Sequence, residues 1–333
     1  QGDMLEVWET SGNQSTPTSA EMLGGKSGTI SNQSEGVNNE LTRQTSTPAG
    51  GDSGGIRGNI GFLDESGREV NQLSRTPEGN LAGLPTGVKG FTPRHNVRIA
   101  NVAKNYVEKK GGVYAPSTQY AAINPQNSTH IADEFEAMKH NPSDPEVQDA
   151  YSEMIKEVKE QYQAALDDGL QVEFIDFAKQ GDPYAKSPRM ANEDIADNNH
   201  MYTFSTLDGF GSDEAVDVSD NPLLQETEFM ISGKPALAND LFRVVHDYFG
   251  HAKEGVGFRA AGEENAWRAH SAMFSPKARR AMTSETRGQN SWVNYGKFGE
   301  TNRTASSGET VFADQKIGLL PEWVSEGKAK PGQ

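Results

Sequence analysis

The sequence predicts an α+β fold with a mainly helical C-terminal domain, a small sheet and a long irregular N-terminal arm. Three observations lead to this prediction. Residues 1–58 are rich in Gly, Ser, Thr, Asn and Gln, which offer too little apolar surface to offset the entropy of ordering the backbone. Beyond residue 93, apolar residues recur with helical spacing. The order of helices, a few strands and further helices favours α+β over a doubly wound parallel sheet.

We divide the chain into an extended low-complexity arm, residues 1–92, and a compact α+β domain, residues 93–333. Within the arm, two apolar runs flank the turn-forming residues 64–67 and predict one hairpin over residues 60–70. The arm contains too few apolar residues to fold alone. We therefore expect protein neighbours in an assembly to order it.

The first part of the compact domain contains three predicted helices. The first carries an apolar stripe and stops at the glycine pair 111–112. A cap at Ser128 or Thr129 starts the second helix. The third begins at Pro145, a residue suited to the first helical turn, and ends at Gly169.

Short strands and three closely spaced helices make up the rest of the domain. The Asp- and Asn-rich segment between the first two strands is predicted to be a loop. The helical region 236–296 contains the candidate metal-binding residues described below. The predicted strands lie near residues 172–177, 200–205 and 227–231, and the predicted helices near 236–249, 258–274 and 276–295.

Composition excludes several classes of function. With 47 acidic and 31 basic residues the formal net charge is −16, so a nucleic-acid partner bound through a broad basic face is not expected. The chain has no cysteine, which excludes disulfides, thiolate metal sites and thiol nucleophiles. No run of about 18 apolar residues predicts a membrane span, and no charged start followed by an apolar core predicts a secretion signal.

The strongest chemical signal is a pair of histidines, His246 and His251, at the end of the first of the three C-terminal helices. Imidazole is the commonest metal ligand near neutral pH. A spacing of one helical turn plus one residue can direct two rings at one ion. We expect Gly250 to let the backbone turn and bring His251 towards His246.

A third ligand is needed, and three glutamates compete for that position. Glu285 is the first choice because it interrupts a mostly apolar helix face, where a buried carboxylate needs a partner such as a cation. Glu263 and Glu264 are the competitors. Glu263 also lies on one helical stripe with His270, and the two could orient a ligand from the second layer of residues.

A purely structural interpretation stays open for the same residues. His246 would then be a core residue on an apolar helix face, and Glu285 would pair with an arginine. His251 would cap the C-terminus of its own helix, where a positive charge is favoured.

The six residues 246–251, His-Asp-Tyr-Phe-Gly-His, resemble the metal-binding motif of the aromatic amino acid hydroxylases, which carry a further glutamate on a later helix. The resemblance implies Fe(II) bound by His246, His251 and Glu285, with coordination positions left open. It implies an oxygenase or hydroxylase acting on a small molecule that the sequence does not specify.

We also expect residues around this centre to line a pocket or to act in catalysis. Tyr248, Phe249 and Trp292 would line the pocket that keeps water away. In a variant of this hypothesis the ion is zinc and the protein is a hydrolase, with bound water as nucleophile and Asp247 or Glu264 as the catalytic base.

The stretch from 239 to 295 is also similar to segments of bacteriophage-encoded, virion-associated proteins of unknown function. This similarity implies an alternative role as a structural or cargo component of a phage virion or a related assembly, in which the metal site is structural or vestigial. The expected location is then the virion or the cytoplasm of the host cell.

Overall fold

A computed structural model describes residues 61–63, 69–71, 95–117, 120–186, 189–210, 217–303 and 309–332. The prediction of an irregular arm over residues 1–92 therefore lies outside the described residues, except for two short strands. These are β1, Gly61–Leu63, and β2, Glu69–Asn71, which pair antiparallel, as the predicted hairpin requires.

Three helices open the domain, as the apolar stripes predict. They are α1, Val97–Lys109, α2, Pro125–Ala137, and α3, Pro145–Asp167. The start of α2 corrects the predicted cap at Ser128 or Thr129. Asn124 is the cap, since its side chain accepts a hydrogen bond from the backbone N–H of Asn127 at 3.0 Å, and proline follows in the first turn.

A parallel pair of strands follows α3. Strands β3, Gln171–Phe174, and β4, His200–Thr203, lie side by side and are connected through α4, Phe177–Gln180, and α5, Arg189–Asn198. The loop predicted through this segment is thus wrong for α5, because parallel neighbours need a crossover connection. Its buried apolar positions, Ala191 and Ile195, are too few to produce a recognisable stripe.

The chain then forms an antiparallel pair of strands and the helices that carry the candidate site. The described residues contain three two-stranded sheets within a mainly helical structure, so the predicted α+β class is confirmed. The elements are α6, Thr206–Phe210; a 3-10 turn, Pro222–Leu224; β5, Glu226–Ile231; β6, Lys234–Leu237; α7, Ala238–His246; α8, Ala260–Ser271; α9, Pro276–Thr283; α10, Gln289–Tyr295; α11, Gly299–Asn302; and α12, Glu322–Ser325.

Two of these helices continue as wider, π-helical turns. Helix α7 runs into Asp247–Ala252, and α9 runs through Ser284–Gly288 into α10. We call Asp247–Ala252 the first π segment. A π-helical insertion in an otherwise regular helix is uncommon and is frequently found at functional sites.

The hydrophobic core lies around α7. All nine residues of this helix are buried, and α7 contacts α3, α8 and the first π segment. This burial places the end of α7, and with it His246, at the centre of the domain. No helix within the described ranges combines the length and the apolar character that crossing a membrane requires.

Candidate metal centre

The first π segment brings the two histidines together. Five residues in a regular α-helix advance about 140° beyond one full turn, which would direct the two side chains apart. A π-helix instead closes its hydrogen bonds over five residues, as Lys253 N does to the carbonyl of Tyr248. The rings of His246 and His251 consequently have centroids 5.1 Å apart at 87° to each other.

Gly250 contributes by its small size and not by a turn, which corrects the role expected from the sequence. Its φ is not positive, and it lies inside the first π segment. A Cβ atom at this position would lie 3.2 Å from both Cβ and the carbonyl oxygen of Ala266 and 3.4 Å from Cε1 of His246. Glycine therefore permits the close approach of α8 to the first π segment.

Glu263, in the first turn of α8, completes the group. Its Oε2 lies 3.6 Å from Nε2 of His246 and 3.4 Å from Nε2 of His251. One ligand atom of each residue lies within 4.8 Å of the others. The exposed fractions are 0% for both histidines and 6% for Glu263. The structure thus contains a buried group of two histidines and one glutamate that is close enough to bind a metal ion.

The distances from Glu263 to the two ring nitrogens fit an ion bound between these groups. Direct N–H···O hydrogen bonds are about 2.7–3.2 Å long, shorter than the distances observed from Glu263 to either histidine. Metal–nitrogen and metal–oxygen bonds of about 2.0–2.2 Å, at angles of 90–110°, place two ligand atoms roughly 3.0–3.5 Å apart. The measured 3.4 and 3.6 Å lie close to that range.

The other ring nitrogen of each histidine is already engaged. Nδ1 of His251 lies 3.0 Å from the carbonyl oxygen of Gly257, which can only accept, so Nδ1 carries a proton and Nε2 is the ring nitrogen left to bind a metal. Nδ1 of His246 lies 3.1 Å from Nδ1 of His270. Neither ligand Nε2 has a hydrogen-bond partner among the residues that the structure describes. Buried polar atoms of this kind call for an explanation, and a bound cation supplies one.

The electrostatics of the group favour a carboxylate anion beside a positive charge. Burial alone would raise the pKa of Glu263, but the neighbouring His251 and His246 outweigh it and hold that pKa below its usual value. Burial alone would lower the pKa of His251, but the Glu263 carboxylate opposes this effect, and the pKa of His251 lies above its usual value. Burial holds the pKa of His270 well below its usual value, which keeps that ring neutral.

The structure does not place Glu285 with the two histidines. Its carboxyl group accepts hydrogen bonds from the Tyr151 hydroxyl, from Nε2 of Gln289 at 3.1 Å and from Nε2 of Gln315 at 3.0 Å. Burial raises the pKa of Glu285 to about 7. A cation is the partner expected for this buried carboxylate. The structure provides three neutral hydrogen-bond donors in its place.

Glu264 forms a buried ion pair. Its two carboxylate oxygens accept from Nε and Nη2 of Arg287 at 3.0 and 2.7 Å, and the guanidinium group lies 4.0 Å from the centroid of the Trp267 ring. Both oxygens are thus engaged by one arginine, an arrangement that stabilises the fold. The geometry offers no support for Glu264 as a catalytic base.

Asp247, the other expected base, is buried at the start of the first π segment. Burial raises its pKa, partly offset by His251 and His246. Its Oδ1 has no hydrogen-bond partner within the described part of the chain. A buried carboxyl of this kind can hold a proton beside the metal-binding group.

The three residues expected to line the pocket lie in three different environments. Phe249 stacks on His270 with ring centroids 6.2 Å apart and so lies beside the centre. The hydroxyl of Tyr248 donates to Oδ2 of Asp168 at 3.1 Å. Trp292 belongs to a second hydrophobic cluster, formed mainly by α2 and the C-terminal segment.

Two further aromatic residues cover the two histidines. Phe258 stacks on His251 with centroids 4.2 Å apart and an interplanar angle of 21°, and Phe242 lies 6.1 Å from His246. Phe258 and Gly257 lie in the connection between the first π segment and α8, which has no periodic pattern. Their proximity to His251 could therefore be found only from the folded structure.

Comparisons with known protein families, with curated proteins and with solved structures give no match. These comparisons therefore do not support the resemblance to the hydroxylases or the resemblance to virion-associated proteins. The functional assignment rests on the geometry of His246, His251 and Glu263.

Proposed function

We propose that this chain binds one divalent first-row transition-metal ion through Nε2 of His246, Nε2 of His251 and the carboxylate of Glu263. The observation that carries the proposal is the convergence of two buried ring nitrogens, without hydrogen-bond partners in the described part of the chain, on one carboxylate oxygen. Two neutral imidazoles and one anionic carboxylate form a donor set that suits Fe(II) and Zn(II).

We further propose that the ion is Fe(II) and that the centre is of the oxygenase or hydroxylase type. Three protein ligands on one side of an ion are the arrangement used by non-haem iron oxygenases. When bound, Fe(II) supplies redox chemistry towards molecular oxygen. The rings of Phe242, Phe249 and Phe258 exclude water, and Asp247 can hold a proton at Oδ1.

Zinc is the alternative ion, because the same donors bind it well. In that case the proposed reaction class is hydrolysis, with Asp247 proposed as the base that accepts a proton from a nucleophilic water. The same metal analysis separates the two reaction classes.

The first test is the metal content of the full chain, purified without chelator and measured by plasma mass spectrometry. We compare the wild type with His246→Ala. Near-stoichiometric iron that is lost in the variant supports the iron proposal, and iron-dependent oxygen uptake should disappear with it. Zinc in place of iron moves the proposal to hydrolysis. If neither protein retains metal, and neither binds added Fe(II) or Zn(II), the metal proposal is overturned.

A second candidate function is a structural or cargo component of a virion-like assembly. The complete burial of both histidines favours it, because an ion enclosed in the core can stabilise a fold without meeting a substrate. Under this proposal, deleting residues 1–58 abolishes assembly, as measured by sedimentation velocity, while metal binding persists. Assembly unchanged by the deletion contradicts it.

A further inference from the structure

We infer that Gln161, on α3, determines which ring nitrogen of His246 is free to bind the metal, acting through His270. Gln161 is then a positioning residue of the centre, although it touches neither the ion nor a ligand. This inference rests on the proposed metal site.

A chain of buried contacts links Gln161 to His246. Oε1 of Gln161 lies 2.7 Å from Nε2 of His270, and Nδ1 of His270 lies 3.1 Å from Nδ1 of His246. All three side chains are fully buried, so water does not compete for these hydrogen bonds. Helix α3 contacts α7 directly, which places Gln161 next to the rings.

The proton positions along this chain follow from the acceptor at its end. With the Gln161 amide oriented as in the structure, its carbonyl oxygen faces Nε2 of His270 and can only accept, so the proton of His270 lies on Nε2 and its Nδ1 carries a lone pair. His246 then donates to that lone pair from Nδ1, which leaves Nε2 of His246 unprotonated. That atom is the one lying 3.6 Å from Oε2 of Glu263.

The opposite arrangement would block metal binding. If His270 were protonated on Nδ1, it would donate to Nδ1 of His246, and the proton of His246 would move to Nε2. Nε2–H would then point towards Glu263 and occupy the position of the ion. Both arrangements make the hydrogen bond between the two rings, so the acceptor Oε1 of Gln161 decides between them. A neighbour that fixes the tautomer of a metal-binding histidine is a general feature of metal sites.

Two substitutions at Gln161 change the acceptor in opposite ways. Gln161→Met keeps the length of the side chain and removes the acceptor. Gln161→Glu has only acceptor oxygens when ionised, so it cannot support the opposite arrangement. We therefore expect Gln161→Met to weaken metal binding and Gln161→Glu to preserve it.

A matched pair at His270 tests the next step of the chain. His270→Phe removes the acceptor for Nδ1 of His246, whereas His270→Asn can provide one through its side-chain carbonyl. Binding that is weakened by His270→Phe and recovered in part by His270→Asn supports the chain. A core that merely requires an aromatic ring at this position gives the reverse order.

The decisive measurement is the tautomer of each ring in the metal-free full chain, from ¹⁵N NMR of selectively labelled histidine. At a pH at which the imidazoles are neutral, we expect protons on Nδ1 of His246 and His251 and on Nε2 of His270. In Gln161→Met the protons of His246 and His270 should move to the other ring nitrogen. His251 should not change, because the Gly257 carbonyl holds its Nδ1–H, and it serves as an internal control.

Co(II) titration of the same proteins provides the second readout. Gln161→Met should bind about 10–100-fold more weakly than the wild type, the usual effect of losing a residue that orients a ligand. A wild-type His270 protonated on Nδ1 overturns the inference without reference to any variant. So does a Gln161→Met protein with unchanged tautomers and affinity. A wild type that binds no Co(II), Fe(II) or Zn(II) overturns the metal proposal instead, so the two failures are distinguishable.

Discussion

Oε2 of Glu263 lies 3.4 Å from Nε2 of His251, although the two residues lie on opposite sides of the connection between the first π segment and α8. The connection folds back so tightly that a Cβ atom on Gly262 would lie 1.9 Å from the carbonyl oxygen of Gly257. That carbonyl accepts from Nδ1 of His251. One close backbone approach thus positions both the glutamate and the acceptor that orients the histidine.

Glu263→Gln should lower metal affinity by about 100-fold or more, since the loss of an orienting neighbour alone reduces it 10–100-fold. The amide keeps the shape of the side chain and removes the negative charge. Glu285→Gln is the matched control, and its affinity should equal that of the wild type, because Glu285 is hydrogen-bonded to Tyr151, Gln289 and Gln315. Competition titration with a coloured chelator measures both. The reverse result would make Glu285 the ligand.

Glu285 should make the metal-free protein less stable as the pH rises. Burial raises its folded-state pKa from 4.5 to about 7, so the folded state binds the proton more tightly than the unfolded state. Its contribution is fully present below about pH 4.5 and is lost as the pH rises through about 7, by roughly 3 kcal/mol at most. Urea unfolding at pH 5 and pH 8 measures the loss. Glu285→Gln should show a smaller loss of stability, and an identical pH dependence in the two proteins would contradict this account.

Gly250→Ala should destabilise the protein by about 1–3 kcal/mol, the usual effect of adding atoms to a well-packed core. The new Cβ would lie 3.2 Å from Cβ and the carbonyl oxygen of Ala266 and 3.4 Å from Cε1 of His246. Metal affinity should fall as well, because α8 carries Glu263. Adding Ala266→Gly removes one of these contacts and should restore part of the stability and part of the affinity. A stable Gly250→Ala protein with normal affinity would show that the close approach is not required.

Glu264→Gln should destabilise the fold by about 3–5 kcal/mol, because it leaves the Arg287 guanidinium buried without its anionic partner. The metal stoichiometry of the folded protein should not change, since both carboxylate oxygens of Glu264 face Arg287. Chemical unfolding and metal analysis of the same preparation separate the two effects. Replacing both residues with Met should be less harmful than Glu264→Gln. Loss of metal from folded Glu264→Gln would assign this glutamate to the centre.

Much of the helical framework could be predicted because its signals are local. Helix α3 begins at Pro145, with Asp144 as its cap, and ends before Gly169, which has a φ of 90°. The sequence predicts a loop in place of α5 because a short helix that buries few apolar residues leaves only a weak periodic pattern. The start of α2 was misplaced because Ser128 and Thr129 are good caps in general, whereas Asn124 precedes a proline and forms the actual cap.

The two candidate histidine ligands can be recognised without the structure, since imidazoles five residues apart at the end of an apolar helix are a local pattern. The sequence also limits the carboxylate to Glu263, Glu264 and Glu285. Which of the three lies beside the histidines depends on how the helices pack. Adjacent residues on a helix point about 100° apart, so the rotation of α8 against the first π segment directs one glutamate to the histidines and the next to Arg287.

The same physical reason applies to Gln161 and to Phe258. Neither residue has a local pattern that links it to His246 or His251. Gln161 reaches the centre because α3 packs against α7, and Phe258 reaches it because the connection before α8 folds back over His251. Local periodicity encodes which side chains share a helix face. The contacts that select a ligand and set its proton depend on how distant elements pack, and those contacts exist only in the folded chain.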